Sequence, residues 1–284
     1  MRIEHHRYGK ARVRLVKVRR RGDVHDLRDL TVRLLCEGDF DASYVSGDNR
    51  DVLPTETMKN MIYALAKTDP VDRIESFALA LARLVLAEHA PVRRAIVRIE
   101  ETPWTRIAVS GPAGPQPHPH AFMRPGGERG VAEVVAERGG AERVASGLRG
   151  LRVAKTTASG FEGFPQGRFT TLEGTRDRMF STEVGATWWW SEEPGDWAAG
   201  NSRIRDAMLQ AFASEYSPSV QYTIHRMGQA AFAACAQIAK IHVALPNLHC
   251  IPVDLAPFGL ENPNEVLVPT EEPHGLIEAT LARE

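Results

Sequence analysis

The chain has 284 residues, 43% hydrophobic and 25% charged, ordinary values for a globular protein of about two domains. Its 35 basic and 36 acidic side chains leave a net charge of −1, so no global field steers it to nucleic acid. Arg83 breaks the longest apolar stretch, 77–87, so no membrane span is expected, and the charged start MRIEHHRYGK lacks the apolar run of a signal peptide.

Cys36, Cys235 and Cys250 form no CxxC and read as three small buried hydrophobes in a reducing compartment. Strand-like alternation begins over 11–18, where Val13 and Leu15 alternate with Arg12 and Arg14. A turn at Gly22 and Asp23 leads to a second run with Leu30, Val32, Leu34 and Cys36 on one face, and the pair predicts an antiparallel hairpin. Residues 54–67 predict a helix with Met58, Ile62 and Leu65 on one stripe and Thr55 placed to cap or precede it. A longer helix follows over 71–89, and Ala95, Val97 and Ile99 then mark a strand. The Pro/Gly-rich region 111–140 is expected to hold a last strand near 120–123 and the join between halves.

The order then repeats. A long strand is expected over Glu142–Lys155, its partner within 172–190, helices over 199–215 and 218–236, and short strands at 239–245 and 250–255. Two ββααββ units, 1–138 and 139–284, are the economical account. Each unit is α+β, an antiparallel sheet with both helices on one face, and its open edges favour closure in an oligomer.

Several polar residues stand out against this frame. In the stretch LRVAKTTASGFEGFPQGRFTTLEGTRDR, Gly160, Gly163 and Gly167 allow tight turns around Phe161, Phe164 and Phe169, which either stack on a flat ligand or seal the loop. Arg178 offers a rigid fork of donors for a planar anion, or makes an ordinary salt bridge. Gln221 opens a helix, where free backbone amides and the positive dipole end favour anions, or its side chain is simply solvated. Lys10 is a candidate base with Thr55 as hydroxyl partner, Thr55 being otherwise a plain cap. Asn247 and His249, two apart at a strand end, share one face as an amide and an imidazole, or form a structural pair. His118 and His120 sit in a proline-rich segment without a metal-ligand spacing and read as surface histidines; the Trp188, Trp189, Trp190 run reads as core and subunit interface.

Together these segments resemble the urate oxidase (uricase) family over nearly the whole chain. Lys155, Thr156, Thr157, Ser159, Phe161, Phe164, Phe169, Leu172 and Arg178 fall at the spacing of its signature, and YGKARVRLVKV, PTETMKN, SPSVQ and PNLHCIPVDL resemble four further segments in order. The resemblance implies the tunnelling fold, a homotetramer with sites at subunit interfaces, and oxidation of urate by dioxygen to 5-hydroxyisourate and hydrogen peroxide without metal or organic cofactor. It implies that Arg178 and Gln221 grip the urate anion, Phe161 stacks on it, and the Val220 amide adds a contact. It assigns Lys10 and Thr55 to a catalytic dyad with Thr55 from a neighbouring subunit, His249 to the proton relay, and Asn247 to dioxygen or water. Glu56 stands where the family commonly has Asp, with its backbone amide expected on urate. The ending LARE in place of a peroxisomal signal, with the arginine-rich composition, points to a bacterial cytoplasmic enzyme. Another tunnelling-fold enzyme acting on a pterin-like heterocycle, or a purine-binding protein without turnover, are the alternatives.

Overall fold

The computed structural model describes residues 2–111 and 114–283 and divides into two compact units, Met1–Gly147 and Leu148–Glu284. In the first, β1 (Tyr8–Arg21) and β2 (Val24–Gly38) form the expected hairpin around Gly22, whose φ of 61° suits glycine. A short helix, α1 (Asp41–Val45), precedes α2 (Thr55–Thr68) and α3 (Ile74–Glu88). Strand β3 (Val92–Thr102) then pairs antiparallel with β2. The core lies between helices and sheet, where Val32, Leu34, Ile62, Phe77, Leu81, Val97 and Ile99 are fully buried.

The last strand of this unit is not at 120–123. Residues there belong to β5 (Gly114–Met123), which pairs with β4 (Thr105–Gly111) in a separate two-stranded sheet. Pro115, Pro117 and Pro119 supply no N–H to a ladder, which suits β5 to a peripheral hairpin. The fourth strand is β6 (Arg129–Glu137), paired with β3 and burying Ala132, Val134 and Ala136. Its flanking glycines read as loop and mask a short alternating run.

Strand β7 (Glu142–Lys155) contains the division between the units, which falls after Gly147; the sequence-based boundary at 138/139 lies in the turn before it. The second unit continues with β8 (Phe180–Trp190), α4 (Trp197–Ser214) and α5 (Val220–Ala234). Asp196 caps α4 by accepting from Ala198 and Ala199 N–H, and Ser219 caps α5 by accepting from Tyr222 N–H. The two short strands expected at 239–245 and 250–255 are one, β9 (Ile238–Pro252), which runs through Pro246; the fourth strand is β10 (Leu267–Ala282). Cys36 and Cys235 are buried as expected, whereas Cys250 is only partly so.

The two units fasten their last helix identically. Arg138, one residue past β6, donates to the carbonyls of Leu86 and His89 at the end of α3 and of Val92 at the start of β3. Arg283, one residue past β10, donates to Phe232 and Cys235 at the end of α5 and to Ile238 at the start of β9. Likewise Lys17 of β1 reaches the carbonyls of Ala66 in the last turn of α2 and of Asp69 just after it, and Lys155 of β7 those of Phe212 in the last turn of α4 and of Glu215 just after it. Cations at helix C-termini satisfy carbonyls left without intrahelical partners. The same fastening at the same place in each fold is the structural form of the repeat.

Candidate functional site

Lys10 lies inside β1 and owes its direction to a bulge. Lys10 pairs with Leu34 and Val13 with Val32, so Ala11 and Arg12 together oppose Arg33 alone, and Arg12 takes φ 57°. In a regular strand Lys10 and Val13 would point to opposite faces; the extra residue turns Lys10 to the face that holds Val13, Leu34 and the helices. Gly9 beside it packs so close to the Leu34 carbonyl that a Cβ would collide.

Helix α2 covers that face. Its N-cap is Pro54, which has no capping side chain, so Thr55 is the first helical residue and its exposed hydroxyl caps nothing. Glu56 receives a hydrogen bond from Lys59 at 2.5 Å. That bond holds the Glu56 carboxyl below the usual range, and the charge of Lys10 adds to the effect. Lys10 is thus within electrostatic reach of the first turn of α2. Lys59 is a member the sequence reading did not name; its signal was the i, i+3 spacing from Glu56.

In the second unit a loop is laced by backbone hydrogen bonds onto two segments. Gly160 N–H donates to Ser217 at 2.8 Å, Phe161 N–H to Thr175 at 2.7 Å, and Arg178 N–H to Ser159 at 2.8 Å. A Cβ at Gly160 would meet the Tyr216 hydroxyl and the Thr175 carbonyl, so only glycine permits this approach. The lacing sets Phe161, Arg178 and the start of α5 side by side. Phe164 stacks on Phe161 with centroids 4.9 Å apart and planes 10° from parallel, and the Arg178 guanidinium lies 5.6 Å from the Phe161 centroid. Phe169, by contrast, is 85% exposed, with Arg168 over its ring.

Arg178 is half-buried, and its Nε has no hydrogen-bond partner among the described residues. Burial pushes its pKa down, with only the Tyr216 phenol opposing, yet a guanidinium stays charged at neutral pH. A partly desolvated cation without a carboxylate is a receptor for an anion. At α5, Tyr222 N–H bonds Ser219 Oγ and Thr223 N–H bonds the Ser219 carbonyl, which leaves the Val220 and Gln221 amides open.

Asn247 and His249 continue the inward stripe of β9 beyond Ile241, Val243 and Leu245, and so face the helices. In register, Asn247 opposes Thr182 of β8 and Gly275 of β10, and His249 opposes Thr270. Between these pairs, Glu271, Glu272, Pro273 and His274 bulge out of β10 opposite Leu248 alone. The second unit therefore carries Phe161, Arg178, Val220, Gln221, Asn247 and His249, and the first carries Lys10, Thr55 and Glu56.

A sequence profile of the uricase family matches residues 6–135 and 144–278. The chain belongs to the uricase family. Uricase from Arthrobacter globiformis is 40% identical over 278 residues, covering 98% of this chain and 88% of that one. Uricase from Oryctolagus cuniculus is 36% identical over 282 residues, covering 97% and 93%. The crystal structure of the Arthrobacter globiformis uricase matches with a TM-score of 0.94 at 37% identity, covering 100% of this chain and 96% of that one. A uricase structure from Bacillus fastidious, at 19% identity and a TM-score of 0.85, shares the fold. The fold of this uricase-family chain is accordingly the tunnelling fold, two ββααββ units.

Other polar clusters in this member of the uricase family are separate from these groups. His118 and His120 lie on β5 with centroids 4.5 Å apart, and His25 is 5.7 Å from His120. Among the described residues, no group of three His, Cys, Asp or Glu side chains is placed to hold a metal ion. No helix of the described residues is long and apolar enough to cross a membrane.

Proposed function

We propose that this chain is a urate oxidase, which oxidises urate by dioxygen to 5-hydroxyisourate and hydrogen peroxide without metal or organic cofactor, in the bacterial cytoplasm. The observation that carries the reading is the half-buried Arg178, unpaired at Nε, beside the Phe161 ring and the open amides of α5. Urate is a planar anion with adjacent acceptors, and this group supplies a cation, paired donors and an aromatic face for it. Arg178 and the Gln221 side chain would hold the anion, the Val220 amide would add a donor, and Phe161, backed by Phe164, would take the purine plane.

The chemistry then needs little more than placement and proton transfer. Urate loses two electrons, dioxygen gains them, and the hydroxyl of a water adds at C5 while peroxide leaves with two protons. Lys10, working through the Thr55 hydroxyl, would remove a proton, and His249 would extend the relay. Asn247 would hold dioxygen or water over the ring, and the Glu56 amide, one of the open N–H groups of α2, would bind the substrate edge.

We assign the assembly to a homotetramer with sites at subunit interfaces. Lys10 and Thr55 belong to the same unit of one chain, and a neighbouring subunit would present that unit's residues to the site. The test is urate absorbance near its ultraviolet maximum, in air, with metal-stripped protein and a peroxide assay alongside. Loss of absorbance with matching peroxide is expected. Bound urate without turnover would favour a purine-binding protein, and neither binding nor turnover would point to a pterin-like heterocycle.

A further inference from the structure

The inward stripe of β8 runs Phe180, Thr182, Val184, Ala186, Trp188, and every member is buried. Thr182 is the one polar side chain in it. It is 0% exposed, and its Oγ1 has no hydrogen-bond partner among the described residues. Valine would fill the same volume without that hydroxyl, and an unpaired buried hydroxyl is destabilising. The packing of β8 gives no reason for threonine here; its neighbour across the ladder does.

Asn247 is the register partner of Thr182, so the two side chains project from the same face with Cβ atoms about 5 Å apart. On the other side of Asn247 stands Gly275, which has no side chain; a Cβ built there would come within 3.7 Å of Asn247 Cβ. The carboxamide therefore has a hydroxyl on one flank and, on the other, only a glycine with the apolar Ile277 methyl beyond it. A carboxamide has two ends of similar shape, one donating and one accepting, and something must choose between them.

We propose that Thr182 is a positioning residue for Asn247. With substrate bound, the Thr182 hydroxyl donates to the carboxamide oxygen of Asn247, and this aims the Nδ2 hydrogens at dioxygen over the urate ring. The proposal rests on the urate oxidase reading and deepens it, since it names what orients the group that meets dioxygen.

The experiment compares Thr182→Val and Thr182→Ser with wild type in steady-state urate oxidation at varied dioxygen, together with Tm and the affinity for a non-reactive urate analogue. Thr182→Val should keep analogue affinity and match or exceed the wild-type Tm, while kcat/KM for dioxygen falls about tenfold, the scale of one hydrogen bond. Thr182→Ser, which keeps the hydroxyl, should recover most of that loss. A Thr182→Val enzyme with wild-type kcat/KM for dioxygen overturns the proposal, as does one whose Tm and analogue affinity fall in step with its activity. If the valine variant does not fold, Thr182→Ala is read by the same criteria. Wild-type protein that fails to turn over urate would instead remove the reading on which the proposal rests.

Discussion

Arg178 and Lys10 make opposite demands on their surroundings, and their substitutions should separate binding from chemistry. Arg178 is partly desolvated, and its Nε has no hydrogen-bond partner among the described residues, so its contribution is realised when an anion arrives. Arg178→Ala should weaken binding of a urate analogue by about 2–5 kcal/mol, the loss found when one partner of a buried, hydrogen-bonded charge pair is truncated. Calorimetric titration checks this, and an unchanged affinity would place the anion elsewhere. Lys10→Met should lower kcat by about 100-fold or more while leaving analogue affinity nearly intact; equal loss of both would refute its role as base. Both residues were visible in the sequence as candidates. What was not visible is that Thr55 is not a cap, because Pro54 occupies that position, and that Lys59 holds the Glu56 carboxylate at 2.5 Å.

Strand β1 shows how one backbone irregularity decides a side chain's role. The period-two pattern at Val13 and Leu15 is clear, but extrapolated back to Lys10 it points the wrong way, and the bulge at Ala11 and Arg12 corrects it. Deleting Arg12 should restore a regular ladder and turn Lys10 to the face away from α2. The expected product keeps its circular dichroism spectrum and loses turnover; retained activity would show that the bulge does not set Lys10. The same β1–β2 pair carries a pH dependence. Tyr8 and Cys36 are register partners; burial pushes the Cys36 thiol up to about 12, and burial with the Cys36 charge pushes the Tyr8 phenol up to about 12. In the unfolded chain both lose their protons at lower pH, near 9 for the thiol and 10 for the phenol. The unfolded state therefore binds fewer protons in the interval, and stability declines as pH climbs from about 9 toward 12. Urea unfolding at about pH 8 and pH 10.5 should show a shallower decline for Cys36→Ala than for wild type. An equal decline would mean that the thiol does not contribute.

The two units repeat the same solution at the level of the chain. Arg138 and Arg283 close the last helix of each, and Lys17 and Lys155 the one before it, although the halves share almost no sequence identity. Among the described residues, β1 pairs only with β2 in the first unit and β10 only with β9 in the second, so each ends in an open strand edge. Val16 and Leu276 are exposed as well. Edges and apolar area of this kind are covered by association, which is the physical support for the proposed homotetramer. In a dilution series followed by sedimentation, specific activity should track the fraction of oligomer. A fully active monomer would sink the interface-site proposal.

Local chemistry was legible along the chain. Alternation at Val13 and Leu15, the stripe of α2, and the ordered motifs around Phe161, Arg178 and Asn247 each depend on residues a few positions apart. Those features identified the repeat, the α+β class and the family resemblance. Strands β6 and β10 were missed for the complementary reason: glycines flank one, and Pro269, Pro273 and a four-residue bulge interrupt the other, so neighbours in sequence argue against what neighbours in the sheet enforce. The direction of Lys10, the pairing of Thr182 with Asn247 and the isolation of Arg178 are likewise properties of register and burial. Register is fixed by the partner strand, and burial by whatever packs on top, and neither partner is adjacent in the chain.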